Sequence, residues 1–171
     1  MEYMFLPLKR YAEFSGRSRR MEYWMFTLFI IVMWVVLFGL MIGLAGTAIL
    51  GGFGSGGGAG SAMAAGGAIM IVLVLCGLLW LVLLIPSIAV GIRRLHDTDR
   101  SGWWLGGYFL LAVVSNVLTR SSGPGALSML FSLAVLIYAI MLFVFMVLDG
   151  TKGPNKYGPD PKGRVDAEVF A

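Results

Sequence analysis

Apolar and polar positions along this chain fall into long blocks. Trp24 to Ala45, WMFTLFIIVMWVVLFGLMIGLA, runs 22 residues without a charge. Ala68 to Ile92, AIMIVLVLCGLLWLVLLIPSIAVGI, and Ala126 to Leu148, ALSMLFSLAVLIYAIMLFVFMVL, do the same. A bilayer core about 30 Å thick needs about 20 apolar residues in a helix, so each block predicts a transmembrane span. A fourth block, Trp103 to Leu118, has only 16 residues. It must borrow flanking residues, thin the bilayer or sit deeper among its neighbours. Helix is expected in all four, because hydrocarbon offers backbone groups no outside partner, and the alternation of barrel strands is absent.

The first block is longer than the roughly 7 to 15 residues of a signal-peptide core, and no small-residue cleavage site follows it, so it is expected to remain in the mature protein. Residues 46–67, GTAILGGFGSGGGAGSAMAAGG, offer little apolar surface to offset the entropy of ordering them and read as a flexible extracytoplasmic loop. They lack the G-K-[ST] ending of a phosphate-binding loop. The predicted fold is all-α and integral to the membrane. A cytoplasmic or interfacial N-segment (1–23) precedes a four-helix transmembrane domain (24–148, spans about 24–45, 68–92, 103–118 and 126–148). A turn-rich cytoplasmic tail (149–171) follows, dense in Gly, Pro, Asn and Asp. Tyr157 is expected to dock against the same face, and residues 163–171 to fray.

Composition agrees with the block pattern. The 171 residues are 58% hydrophobic and 13% charged, with a mean hydropathy of +0.86. The single cysteine, Cys76, excludes an intramolecular disulfide and reads as an inert thiol. The net charge of +4 comes without a nucleic-acid signature, so no nucleic-acid partner is expected.

Charge placement sets the predicted orientation. Five basic residues precede the first span (Lys9, Arg10, Arg17, Arg19, Arg20), three lie in the central loop (Arg93, Arg94, Arg100) and four in the tail (Lys152, Lys156, Lys162, Arg164). Only Arg120, in the turn TRSSGPG, is left for the opposite side. With four spans, the positive-inside rule places both termini in the cytoplasm. All nine acidic residues share that face. No charged residue lies deep within a span, which counts against a charge-coupled carrier.

Candidate chemistry gathers in GIRRLHDTDRSGWW, residues 91–104. A structural reading pairs Asp97 with Arg93 (i,i+4) and Arg94 (i,i+3), lets Asp99 or Ser101 cap the next helix, and sets Trp103 and Trp104 at headgroup level. A functional reading makes Arg93, Arg94 and Arg100 forks for an anionic headgroup. An enzymatic one makes His96 a base oriented by Asp97 or Asp99. One histidine without nearby cysteine is too few for zinc, and no metal or cofactor is expected.

The N-segment repeats the theme. Met4, Leu8, Tyr11 and Phe14 fall near one face of a short interfacial helix, and Arg17, Arg19 and Arg20 stand just before the first span. Their structural reading is a topology anchor and their functional one an attraction to anionic lipid. Gly39 and Gly43 form a G-x-x-x-G at which a helix of this chain or of a second copy can approach closely. Pro86 is expected to kink the second span and free a carbonyl.

Three stretches together, FSGRSRRMEYW (14–24), RRLHDTDRSGWW (93–104) and GPNKYGPDP (153–161), resemble the bacterial domain-of-unknown-function family eight-oh-five. That resemblance implies a small multi-pass inner-membrane protein without an established activity. Its pattern often has Gly where this chain has Asp99, which leaves the turn of the central loop open. The leading expectation is a non-enzymatic scaffold or regulator that binds membrane lipids or a protein partner through Arg17, Arg20, Arg93, Arg94, His96, Asp97, Arg100, Trp103 and Trp104. The alternatives are a channel or carrier for a neutral or hydrophobic solute, and a membrane enzyme built on His96.

Overall fold

The computed structural model describes residues 2–54, 59–123 and 125–163. These form five helices: α1 (Glu2–Lys9), α2 (Arg20–Gly54), α3 (Ala59–Asp97), α4 (Trp103–Ser122) and α5 (Ala126–Val147). Among the described residues, three segments are long and apolar enough to cross a membrane: Arg20–Gly46, Ile69–Asp97 and Ala126–Val147. The 20-residue α4 spans about 30 Å at 1.5 Å per residue, and runs past the sequence-predicted end at Leu118. Gly107, Ser115, Asn116, Thr119 and Arg120 make it more polar than its neighbours.

The glycine-rich stretch corrects an expectation. Residues 46–54 continue α2 and 59–67 begin α3; only 55–58 lie outside the described residues. A helix already nucleated gains one hydrogen bond for each residue it adds. The propensity penalty of about 1 kcal/mol per glycine is opposed by the need to pair backbone groups near apolar surroundings. The tail beyond Gly163 also lies outside the described residues.

Helices α2 and α3 pack as one pair and α4 and α5 as another. Polar contacts pin the second pair: Tyr138 donates from its hydroxyl to the Trp104 carbonyl at 2.9 Å, and Ser115 and Ser132 hydroxyls lie 3.3 Å apart. Gly107 permits this approach, since a Cβ there would sit 2.8 Å from Tyr138 Oη. Two small cores hold the pairs near the charge-rich end. Phe26, Leu83 and Val90 form one, with Leu8 of α1 against it. Leu95, Leu142 and Met146 form the other, with Tyr23, Trp24 and Leu105.

Helix α1 ends before Tyr11 and leans on α2 and α3, with Phe5 edge-on to Phe29 at 5.5 Å. Pro86 leaves the Val82 carbonyl, four residues earlier, without its helical donor. The Tyr11 hydroxyl takes that place at 2.7 Å. A Cβ added at Gly39 or Gly43 would meet no atom of the described residues within 4 Å, so their face is open on this protomer.

Candidate functional site at the charge-rich face

The end of α3 is where the three motif stretches meet. Its last carbonyls lack helical donors, and those of Leu95, His96 and Asp97 find donors outside the helix, as does that of Arg93 just before them. The Ser18 N–H donates to Arg93 O at 3.1 Å and the Thr151 N–H to Asp97 O at 2.9 Å. Asn155 Nδ2 donates to His96 O at 2.9 Å. The Arg100 N–H reaches Leu95 O at 2.9 Å and the Asp99 N–H reaches His96 O at 3.1 Å. This closure puts its penultimate residue in the left-handed region, and Asp99 has φ +58°. Glycine would adopt that conformation without a Cβ penalty.

Asp97 is the centre of the site. Arg94, three residues back, reaches its Oδ2 at 2.5 Å. Arg17 Nε donates to Oδ1 at 3.0 Å. The Arg17 guanidinium continues to the carbonyls of Gly153 at 2.7 Å and Thr151 at 2.6 Å. Arg94 donates to Met146 O at 3.2 Å and to Leu148 O. Arg20 adds Val147 O at 3.1 Å. Helix α5 has no basic residue in its last turn, so cations from α2 and α3 complement its negative end. Asp97, Arg94 and Arg17 are all buried.

Arg93 departs from the sequence-predicted pairing. It turns from Asp97 to Glu22 on α2, with Nη2 3.2 Å from Oε1, both side chains buried. No aligned hydrogen bond forms: Nε, Nη1 and Nη2 of Arg93 and Oε1 of Glu22 lack partners of good geometry among the described residues. This pair is held by charge alone, whereas Arg94 and Arg17 are held by charge and by aligned acceptors.

The burial of Arg93 and Arg94, both 0% exposed, changes their reading. Their forks face carboxylates and carbonyls, so a headgroup does not reach them in this conformation. The expected members of the binding set separate accordingly. Arg17, Arg93, Arg94 and Asp97 form the buried framework. Arg20, ion-paired to Asp149 at 3.0 Å, and Trp103, 84% exposed, lie at the surface. Arg100 lies 3.8 Å over the Phe145 ring, and Trp104 packs against the same ring and Tyr138.

His96 is only partly buried and stacks on Tyr157, centroids 3.8 Å apart and planes within 4°, which is the docking expected of that tyrosine. Its Nδ1 lies 3.1 Å from Gly16 O. A carbonyl only accepts, so Nδ1 carries the hydrogen and donates. The ring borders a pocket of about 460 Å³ between α3, α4, Phe14 and Tyr157. Ser101 sits on its rim and accepts from the Trp103 N–H at 3.2 Å. Asp99, the other expected cap, instead faces Lys156 at 3.6 Å.

Sequence reasoning gave no role to Glu22 or Asn155, and read Arg19 only as a topology anchor or lipid-attracting cation before the first span. Arg19 donates to the Pro161 carbonyl at 2.6 Å and to the Tyr3 hydroxyl at 3.2 Å. Local spacing carries no signal for pairs this far apart in the chain. The one available cue was that all three belong to the charge-rich segments.

Comparison with known proteins gives a consistent picture. The family described as "Protein of unknown function (DUF805)" matches residues 11–159. The inner membrane protein YhaH of Escherichia coli (strain K12) is 33% identical over 162 residues, covering 95% of this chain and 98% of that protein. The inner membrane protein YhaI of the same strain is 32% identical over 162 residues, covering 95% and 97%. The uncharacterized protein YiiR is 39% identical over 82 residues, covering 46% of this chain and 54% of that protein. No solved structure matches.

Proposed function

The chain belongs to the DUF805 family of unknown function, and from that premise we propose that it is a non-enzymatic scaffold of the bacterial inner membrane, with a folded cytoplasmic face that binds lipid or a protein partner. In this reading α4 is a fourth span, supported by its length and by the Tyr138–Trp104 and Ser115–Ser132 contacts that tie it along α5. Four spans and the one-sided charge place both termini in the cytoplasm.

The observation that carries the proposal is the convergence on Asp97 of residues from three distant stretches: Arg17, Arg94, and the Thr151–Gly153 backbone. Such a buried network fixes the shape of a surface and leaves its outer residues for recognition. Those outer residues are Arg20, Arg100, Trp103, Trp104 and Lys156.

Two measurements test this. In a Cys76→Ala background, single cysteines at Ser101 and Lys152 should react with an impermeant thiol reagent only after the membrane is permeabilised, and one at Ser121 should react in intact spheroplasts. The reverse pattern overturns the orientation. Neutralising Arg20, Arg100 and Lys156 to Gln together should reduce co-purified lipid or protein while the variant stays folded, with only a modest fall in melting temperature from the lost surface contacts; unchanged co-purification overturns the binding role.

A further inference from the structure

The pocket beside His96 is an apolar recess in a charged layer. Ile88 and Ile92 of α3 and Leu105 and Phe109 of α4 line it, with Phe14 and Tyr157 closing it toward the N-segment and tail. Its volume of about 460 Å³ lies within the range of roughly 300–1,000 Å³ typical of small-molecule sites. Among the described residues no Asp, Glu, Lys or Arg lines it, although the surrounding layer is rich in them. Of the neighbouring cations, Arg94 and Arg17 turn to Asp97 and Arg100 to Phe145, while Lys156 lies 5.1 Å over the Tyr157 ring and 3.6 Å from Asp99, outside the lining.

Beside the Tyr157 hydroxyl and the Trp103 indole, the polar side chains of the lining are His96 and Ser101, whose remaining hydrogen-bonding capacity is fixed by the bonds they already make. With Nδ1 donating to Gly16, the neutral imidazole presents Nε2 as an acceptor, and no described residue bonds it. Ser101 Oγ accepts from the Trp103 N–H, which leaves its hydroxyl hydrogen as a donor. One acceptor and one donor together match a hydroxyl group, which both donates and accepts. The apolar wall is continuous with the exposed side of α4, where Phe109 is 47% exposed, so a chain in the bilayer has access to it.

We infer that this pocket is a binding site for a single-chain membrane amphiphile with an uncharged hydroxyl headgroup. The chain lies against Ile88, Leu105 and Phe109, and the hydroxyl sits between His96 Nε2 and Ser101 Oγ. The inference rests on the reading of this face as a binding surface and gives its ligand a chemical class. A phosphate headgroup is disfavoured, because no cation lines the pocket and its charge would be desolvated beside Ile92 and Leu105.

The test uses the full-length protein in phosphatidylcholine nanodiscs with a photoreactive long-chain monoacylglycerol as probe and peptide mass spectrometry as readout. Labelling should fall on the peptides carrying 88–92 and 101–109. Unlabelled monoacylglycerol should compete at least about tenfold better than the lysophosphatidic acid of the same chain, a difference of about 1.4 kcal/mol. Gly106→Leu fills the pocket from an exposed helical position and should reduce labelling to background with an unchanged melting temperature. His96→Phe keeps a ring against Tyr157 and should weaken binding about five- to tenfold, the loss expected for one hydrogen bond; Ser101→Ala checks the same headgroup from the other side. Labelling spread evenly over α2 and α5, labelling that survives Gly106→Leu, or equal competition by the phosphate lipid overturns the inference. Those results leave the wider proposal standing if the Arg20/Arg100/Lys156 variant still loses its co-purified material.

Discussion

The hydroxyl of Tyr11 donates a 2.7 Å hydrogen bond to the carbonyl of Val82, the backbone group that Pro86 deprives of its helical donor. A segment outside the spans thereby completes a helix inside one. Tyr11→Phe should lower stability by about 1 kcal/mol, the usual net worth of such a bond, measured by reversible unfolding in detergent. In a Pro86→Ala background the helix supplies its own donor, so the same substitution should cost less. Equal losses in both backgrounds would refute the link between proline and tyrosine.

The two buried arginines of α3 should behave differently despite being adjacent. Arg94 bonds Asp97 and two carbonyls, so Arg94→Met strands a buried carboxylate's partner network and should cost about 3–5 kcal/mol. Arg93 faces Glu22 without an aligned hydrogen bond. Replacing that pair together, as Arg93→Met with Glu22→Leu, should be near neutral or stabilising, because burying two charges without good geometry returns little. Unfolding midpoints of the two variants decide the matter, and equal destabilisation would contradict the assignment.

Asp99 occupies the left-handed position that ends α3, φ +58°. A residue with a Cβ is strained there by about 1–2 kcal/mol, partly offset for Asp by its short polar side chain. Asp99→Gly should raise stability by up to about 1 kcal/mol, despite losing the exposed contact with Lys156, since such surface pairs contribute little. A lowered melting temperature would show that the contact outweighs the strain.

Gly150 is buried against the Asp97 carboxylate, and a Cβ there would overlap it. Gly150→Ala must push the tail off α3 or displace Asp97 from Arg17. It should destabilise by about 1–3 kcal/mol, the range for overpacking, and should expose the tail to limited proteolysis near Pro154. An undisturbed proteolysis pattern would contradict the close packing of this glycine.

The sequence alone made much of this visible, and its blind spots have physical causes. The apolar blocks are long uninterrupted runs, so α2, α3 and α5 and the one-sided charge pattern follow from local composition. The i,i+3 pair of Arg94 and Asp97 follows from helical spacing, and the carbonyl freed by Pro86 from its missing N–H. What spacing cannot supply is contact across the chain. Arg93 had two carboxylates within reach once folded, and only the packing of α2 against α3 selects Glu22. Arg17 lies far from Asp97 in sequence, and the donor to Val82 comes from a segment expected to lie apart. The glycine-rich stretch was misjudged because propensity was weighed without the helices already formed on either side of it.

The central claim is that a carboxylate at the end of α3 joins the N-segment to the membrane domain, and a double-mutant cycle on Arg17 and Asp97 tests it most directly. With Arg17→Met, Asp97→Leu and the double variant compared by reversible unfolding in detergent, buried hydrogen-bonded ions at 3.0 Å should give a coupling of at least about 1.5 kcal/mol. The double variant should then be at least as stable as the Asp97 single variant, which leaves two buried guanidiniums, Arg17 and Arg94, without their carboxylate. Losses that simply add, within about 0.3–0.5 kcal/mol, would mean that the two residues do not meet and that the charge-rich face is not closed in this way.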